Sequence, residues 1–102
     1  MNEETIIMTL ISEGGGARAK SLQAIRAARA GDFAKSEMLM REAKYALKKA
    51  HNYQTKLIQT EIANQSIPIS LLLIHAQDHL MNALTVNELS KEIIENLKER
   101  RD

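Results

Sequence analysis

The segment Ile69 to Leu84, ISLLLIHAQDHLMNAL, sets two histidines, one carboxylate and two carboxamides into the most apolar stretch of the chain. At about 100° per residue, His75, Asp78, His79 and Asn82 share one arc of about a third of a helix, whereas Gln77 points nearly opposite. His75 and His79, at i and i+4, could ligate zinc together with a carboxylate. The metalloprotease version needs Glu after the first histidine, and Ala76 stands there instead. A lone reactive imidazole could also act as a nucleophile toward phosphorus, giving a phosphoramidate that transfers onward. The plain alternative is a pair of satisfied interface histidines. These three readings remain open on the residues themselves. Acyl transfer is not among them, because the chain has no cysteine, no nucleophile elbow and no recognisable triad.

Asp78 is the awkward member of the arc. No lysine or arginine lies between Lys56 and Lys91, so a charge partner must come from another helix, another chain or a bound cation. Burying an unpaired carboxylate is expensive. If copies of this helix met around a symmetry axis, the converging Asp78 carboxylates would demand protons or a divalent cation. An Arg or Lys pairing with Asp78 inside its own subunit would remove the basis of that expectation.

The elements that must position these groups are helices. One proline and four glycines punctuate 102 residues otherwise rich in alanine, leucine, lysine and glutamate. A first helix is predicted from Glu3 to Ala30, with Ile7, Leu10, Ile11, Leu22, Ile25 and Ala28 facing inward. Gly31 then supplies a C-terminal stop, and Asp32 a cap for the next helix. The second helix, Phe33 to Ala63, places Leu39, Ala43, Ala46, Leu47, Ala50, Tyr53, Leu57 and Ile58 on one stripe whose small side chains permit close packing. NQSIP, Asn64 to Pro68, reads as the second loop, and a third helix follows from Ile69 to Arg100. The expected architecture is all-α: a single domain over residues 1–102, folded as an antiparallel three-helix bundle.

Two features sit badly in a solitary bundle. From Ile67 to Ile74 apolar residues cover every direction around the third helix, which points to a symmetric oligomer with the third helices near its axis. SEGGGARA, Ser12 to Ala19, puts three glycines where the periodicity wants helix, at about 1 kcal/mol each relative to alanine. Either the first helix breaks there, or the missing side chains let another backbone or a partner come close. A glycine-rich phosphate loop is the sharper reading, but the missing preceding strand and the missing Gly-Lys-Ser/Thr argue against it.

Composition narrows the function class. Fourteen basic and thirteen acidic residues give a net charge of +1, and with one Phe, two Tyr and no Trp the chain lacks both the field and the stacking platforms of a nucleic-acid binder. The longest apolar run is eight residues, far below the ~18 of a membrane span. The acidic start MNEETII is not a signal peptide, so a soluble cytoplasmic protein is expected.

The segment LLLIHAQDHLMNAL resembles the hallmark His-Ala-Gln-Asp-His-Leu-Met segment of the lactose/cellobiose-type IIA components of the bacterial phosphoenolpyruvate-dependent sugar phosphotransferase system. The resemblance extends to GGAR (Gly15 to Arg18), ARAGDF (Ala28 to Phe33) and AHNYQTKLI (Ala50 to Ile58), in the right order over nearly the whole chain. It implies a homotrimer of three-helix subunits, a nine-helix bundle, that accepts a phosphoryl group from the phosphocarrier HPr and passes it to a IIB component. On this resemblance His75 is the phosphoryl acceptor, through Nε2. Asp78, in three copies, faces the trimer axis, where a divalent cation such as Mg2+ can sit; no organic cofactor is implied. Gln77 and His79 support the active-site region in the groove between subunits. Ala19 departs from the serine that often follows the Gly-x-Ala-Arg motif, and the glycine triplet is longer than the family pattern.

A phosphoryl acceptor must be reachable by two partners yet sheltered from hydrolysis, which favours a groove with apolar walls. The run Leu71 to Ile74 could wall it, and Met40 and Met81 could adapt to a docking partner, although ordinary packing explains each methionine alone. Two other functions compete. A histidine phosphotransfer domain of a two-component pathway would favour His-x-x-Lys-Gly, where this chain has Asp78 and His79; a metal-stabilised helical adaptor would explain the arc without catalysis. The sugar, whether cellobiose, chitobiose or lactose, is not encoded in a component that handles only phosphate and leaves sugar recognition to a membrane IIC component.

Overall fold

A computed structural model describes residues 2–63 and 66–100. Three helices make up a rod of 56 × 20 × 19 Å: α1 (Glu3–Arg29), α2 (Phe33–Ile62) and α3 (Leu71–Glu99). There is no strand among the described residues. The all-α bundle therefore stands as expected, with helix ends within two residues of the predicted ones.

Each helix start has a side-chain cap. The Asn2 Oδ1 accepts from the Thr5 N–H at 2.8 Å, Asp32 Oδ1 from Lys35 N–H at 3.1 Å, and Ser70 Oγ from Leu73 N–H at 3.1 Å. Each bond satisfies a backbone donor that the first turn leaves without a partner. Ser70 explains why α3 begins at Leu71 rather than Ile69: the cap residue is extended, and Pro68 keeps the chain before it out of the helical region. At the other end of α1, Gly31 has φ +86°, its N–H donates to Ala28 O, and the Asp32 N–H donates to Ala27 O. That is a Schellman closure, and the left-handed backbone it needs suits glycine. Of the expected loop Asn64 to Pro68, Asn64 and Gln65 lie outside the described residues; Ile67 is buried and joins the core.

α1 is the helix shared by the other two, which meet each other much less. Against α2 it runs antiparallel: Lys20 pairs with Glu42 at 2.8 Å, Lys49 with Glu13 at 3.3 Å, and Ser36 Oγ donates to Ala24 O. Against α3 it runs parallel. Asn87 Nδ2 donates to Ser21 Oγ at 3.0 Å across 66 positions, and Gly14 lies against the backbone of His79 and Leu80 at the same offset. That offset also aligns Leu10 with Ala76, Ala17 with Ala83 and Ala24 with Ser90, all fully or almost fully buried. Small side chains on both seams allow this close approach.

Two apolar clusters fill the rod. The larger joins Ile7, Leu10, Ala43, Leu47, Leu57, Ile67 and Leu80; the smaller, near the Gly31 turn, joins Ala24, Ala28, Leu39 and Ile94, with Met40 packed against it. Buried serines between them are satisfied, and no buried side-chain polar atom among the described residues lacks a partner. Ile58, expected inside, is instead 46% exposed. Leu57 takes the inward position of that turn, and Ile58, about 100° further round, falls outside the buried stripe.

The glycine triplet does not break α1, which is helical throughout. A Cβ on Gly14 would sit 3.4 Å from the carbonyl carbon and oxygen of His79, so the missing side chain there serves the approach of α3. Among the described residues no atom beyond the helix's own neighbouring turns lies within 4 Å of a Cβ built on Gly15 or Gly16. No helix of the described residues is long and apolar enough to cross a membrane.

Candidate functional site

The Ser70 cap and the α1 seam together determine which way the first three turns of α3 face. With Ala76, Leu80 and Ala83 fully buried, the arc of His75, Asp78, His79 and Asn82 is turned away from the core, flanking α1. His75 and Asp78 are exposed and His79 is half-buried.

The two histidines touch. Their Nε2 atoms are 3.0 Å apart, with ring centroids 4.4 Å apart and planes at 81°. A neutral imidazole carries one N–H and one lone pair, so a bond between the two Nε2 atoms needs one ring as donor and the other as acceptor. The acceptor ring then keeps its proton on Nδ1 and presents a lone pair at Nε2. The backbone behind this pair is held by Gly14, which lets α1 rest directly on the His79 carbonyl.

In front of the pair lies a groove of about 470 Å³, lined by Arg18 of α1 and by His75, Asp78, His79, Asn82 and Thr85 of α3. Leu71 to Ile74, expected as its apolar walls, do not line it within one chain. Leu71 is 83% and Ile74 56% exposed, on the outer face of α3 together with Asp78 and Met81. Met40, offered beside Met81 as a docking residue, packs into the smaller cluster at the other end of the rod.

Gln77 does not share the groove. Two residues beyond His75 it is rotated by about 200°, and its Oε1 accepts from Gln54 Nε2 of α2 at 2.8 Å. The structure thus divides the two supporting residues suggested by the sequence: His79 meets His75, and Gln77 turns to the opposite seam.

Among the described residues Asp78 has no cationic partner. The ion pairs of the described residues, Lys20–Glu42, Arg41–Glu37 and Lys49–Glu13, include neither Asp78 nor Arg18. No group of three His, Cys, Asp or Glu among the described residues is arranged to hold a metal ion. The zinc reading of His75, His79 and a carboxylate is not assembled among the described residues, where the two Nε2 atoms are turned on each other at 3.0 Å. A hard cation takes several oxygen ligands, and one chain offers a single carboxylate here, so a cation at Asp78 fits only where several copies converge.

Two residues of this region are missing from the motif-based reading of its chemistry. Arg18 belongs to the GGAR segment, but its place in the groove with His75 and His79 depends on the α1–α3 offset, which no local pattern reveals. Gln54 belongs to AHNYQTKLI, and only the α2–α3 pairing shows that it meets Gln77.

Comparison with known proteins shows the family and the fold. The family model described as PTS system, Lactose/Cellobiose specific IIA subunit matches residues 5–98. The lichenan-specific phosphotransferase enzyme IIA component of Bacillus subtilis is 46% identical over 97 residues, covering 93% of this chain and 88% of that protein. Among solved structures, the PTS cellobiose-specific enzyme IIA from Bacillus anthracis superposes with a TM-score of 0.92 at 45% identity, covering 97% of this chain and 92% of that one. The chitobiose-specific IIA of Escherichia coli, solved in complex with HPr, superposes with a TM-score of 0.83 at 37% identity, covering 97% and 96%.

Proposed function

The chain belongs to the lactose/cellobiose-specific IIA family of the phosphotransferase system, and from that premise we propose that it is a phosphoryl carrier loaded on His75. The donor is phospho-HPr and the acceptor a IIB component, serving uptake and phosphorylation of a β-linked disaccharide of the cellobiose, chitobiose or lactose class through a membrane IIC component. The observation that carries the reading is the 3.0 Å contact between the Nε2 atoms of His75 and His79 at the mouth of an open groove.

In the transfer-competent tautomer His79 donates through Nε2 and His75 accepts, with its own proton on Nδ1. When the donor docks, His79 swings off the lone pair. His75 Nε2 then attacks phosphorus; the new N–P bond forms as the bond to the donor breaks, and that bond's electron pair returns to the donor. The His79 N–H, freed from Nε2, is left within reach of a phosphoryl oxygen. Transfer to the IIB component reverses these steps on a new acceptor. Catalysis of this kind is largely positioning and charge stabilisation, and a pre-set imidazole in a reachable groove supplies the first.

The proposed working unit is a homotrimer. The exposed Leu71, Ile74 and Met81 around Asp78 would be covered by the same face of two other copies. Three Asp78 carboxylates would then converge and could hold a divalent cation such as Mg2+, which would offset their mutual repulsion.

The test is incubation with phosphoenolpyruvate, enzyme I and HPr. Labelled phosphate should appear on the chain, be acid-labile, and be lost in His75→Gln. Absence of label on the unaltered chain, or label that persists in His75→Gln, would overturn the assignment.

A further inference from the structure

We infer that Arg18 is the residue that holds the phosphoryl group once it is on His75, an inference that rests on the carrier function proposed above. A phosphoryl group brings about −1.5 to −2 charges and three strong acceptor oxygens into the groove. α3 cannot answer that charge with a fixed cation, because no lysine or arginine occurs between Lys56 and Lys91. The groove's titratable groups are Arg18 from α1 and His75, Asp78 and His79 from α3; α2 contributes none to its lining. Arg18 is therefore its one permanently charged cation, and Asp78, its fixed anion, works against phosphate.

Placement supports the same assignment. Gly14 lies against the backbone of His79 and Leu80, and Arg18 follows four residues, about 6 Å, further along a helix parallel to α3. Side chains on a helix lean toward its N-terminus, so the long Arg18 side chain reaches back toward His79 and His75. It is exposed and forms no ion pair among the described residues, so its guanidinium fork stays available to two phosphoryl oxygens at once. Arg18 emerges from the glycine-lined part of α1, where Gly15 and Gly16 leave space that a side chain would otherwise occupy.

The experiment loads the unaltered chain, Arg18→Gln and Arg18→Lys with phosphoenolpyruvate, enzyme I and HPr, and follows the 31P resonance of the phosphohistidine against pH. A cation beside the phosphoryl group favours its dianion, so Arg18→Gln should raise the titration midpoint by about 0.5–1 unit. Arg18→Lys should restore part of the shift, since it keeps the charge and loses the fork. A purely structural role would not move this midpoint. If the unaltered chain takes no phosphate, the carrier function falls and this inference with it. If it is loaded and Arg18→Gln titrates at the unaltered midpoint, the inference alone is overturned.

Discussion

α3 carries polar side chains on two opposite faces, and the chain treats them differently. On one face Gln77 is closed off by Gln54 of α2 in a part-buried amide pair. On the other, His75 and His79 have only each other, while Asp78 and Arg18 share a groove without joining an ion pair. The first face is finished within the subunit; the second is left for molecules that arrive later. A polar group already satisfied in its own chain contributes to folding, whereas one held in place but unsatisfied is available for chemistry.

The largest test of that contrast concerns Asp78. On the proposed trimer, Asp78→Leu removes three converging charges and extends the apolar stripe of Leu71, Ile74 and Met81, so the assembly should stay trimeric and become harder to unfold. Sedimentation analysis giving a monomer for that variant would show that the carboxylates hold the copies together instead.

A smaller effect is expected on the finished face. Gln77→Leu strands the Gln54 amide and should cost about 1–2 kcal/mol in denaturant unfolding, whereas replacing both glutamines by leucine should come close to neutral. Equal losses in the single and double variants would mean that the amide pair is not a unit.

The smallest effect separates the glycines. Gly15→Ala gains up to about 1 kcal/mol of helix propensity with nothing in the chain to oppose it, while at Gly14 the 3.4 Å approach to the His79 carbonyl offsets that gain. Thermal unfolding should therefore rank Gly15→Ala above Gly14→Ala. The reverse order would place a neighbouring chain against Gly15.

Much of the fold is legible in the residues because the signals are local. Gly31 and Asp32 announce a helix stop and a helix start side by side, and both act as expected. Pro68 marked the second break, but Ser70, two residues on, determines where α3 begins. The glycine triplet could not be resolved from the sequence, since whether it breaks α1 or admits a neighbour depends on α3 lying against Gly14. The same reason hides Arg18. His75 and His79 are legible as a pair from their spacing alone, yet the spacing does not say that Gln77, inside the same motif, belongs to another seam until α2 is in place.

The bond between Asn87 and Ser21 has a consequence for how the site stays aligned. Along the stretch from Ala17 to Ala24 the seam is made of small residues that discriminate weakly between registers, since sliding α3 along α1 by one turn would again bring small residues face to face there. Such a slip of about 5 Å would move Gly14 off the His79 backbone and carry Arg18 past the imidazoles. It would also take the Ser21 acceptor away from the half-buried Asn87 carboxamide, while the Ser21 hydroxyl keeps its own bond to Ala17 O, much as a single buried asparagine disfavours wrong registers in coiled coils. One polar contact, about two turns from His79 and three from His75, thus helps to select a single register along a seam of small residues.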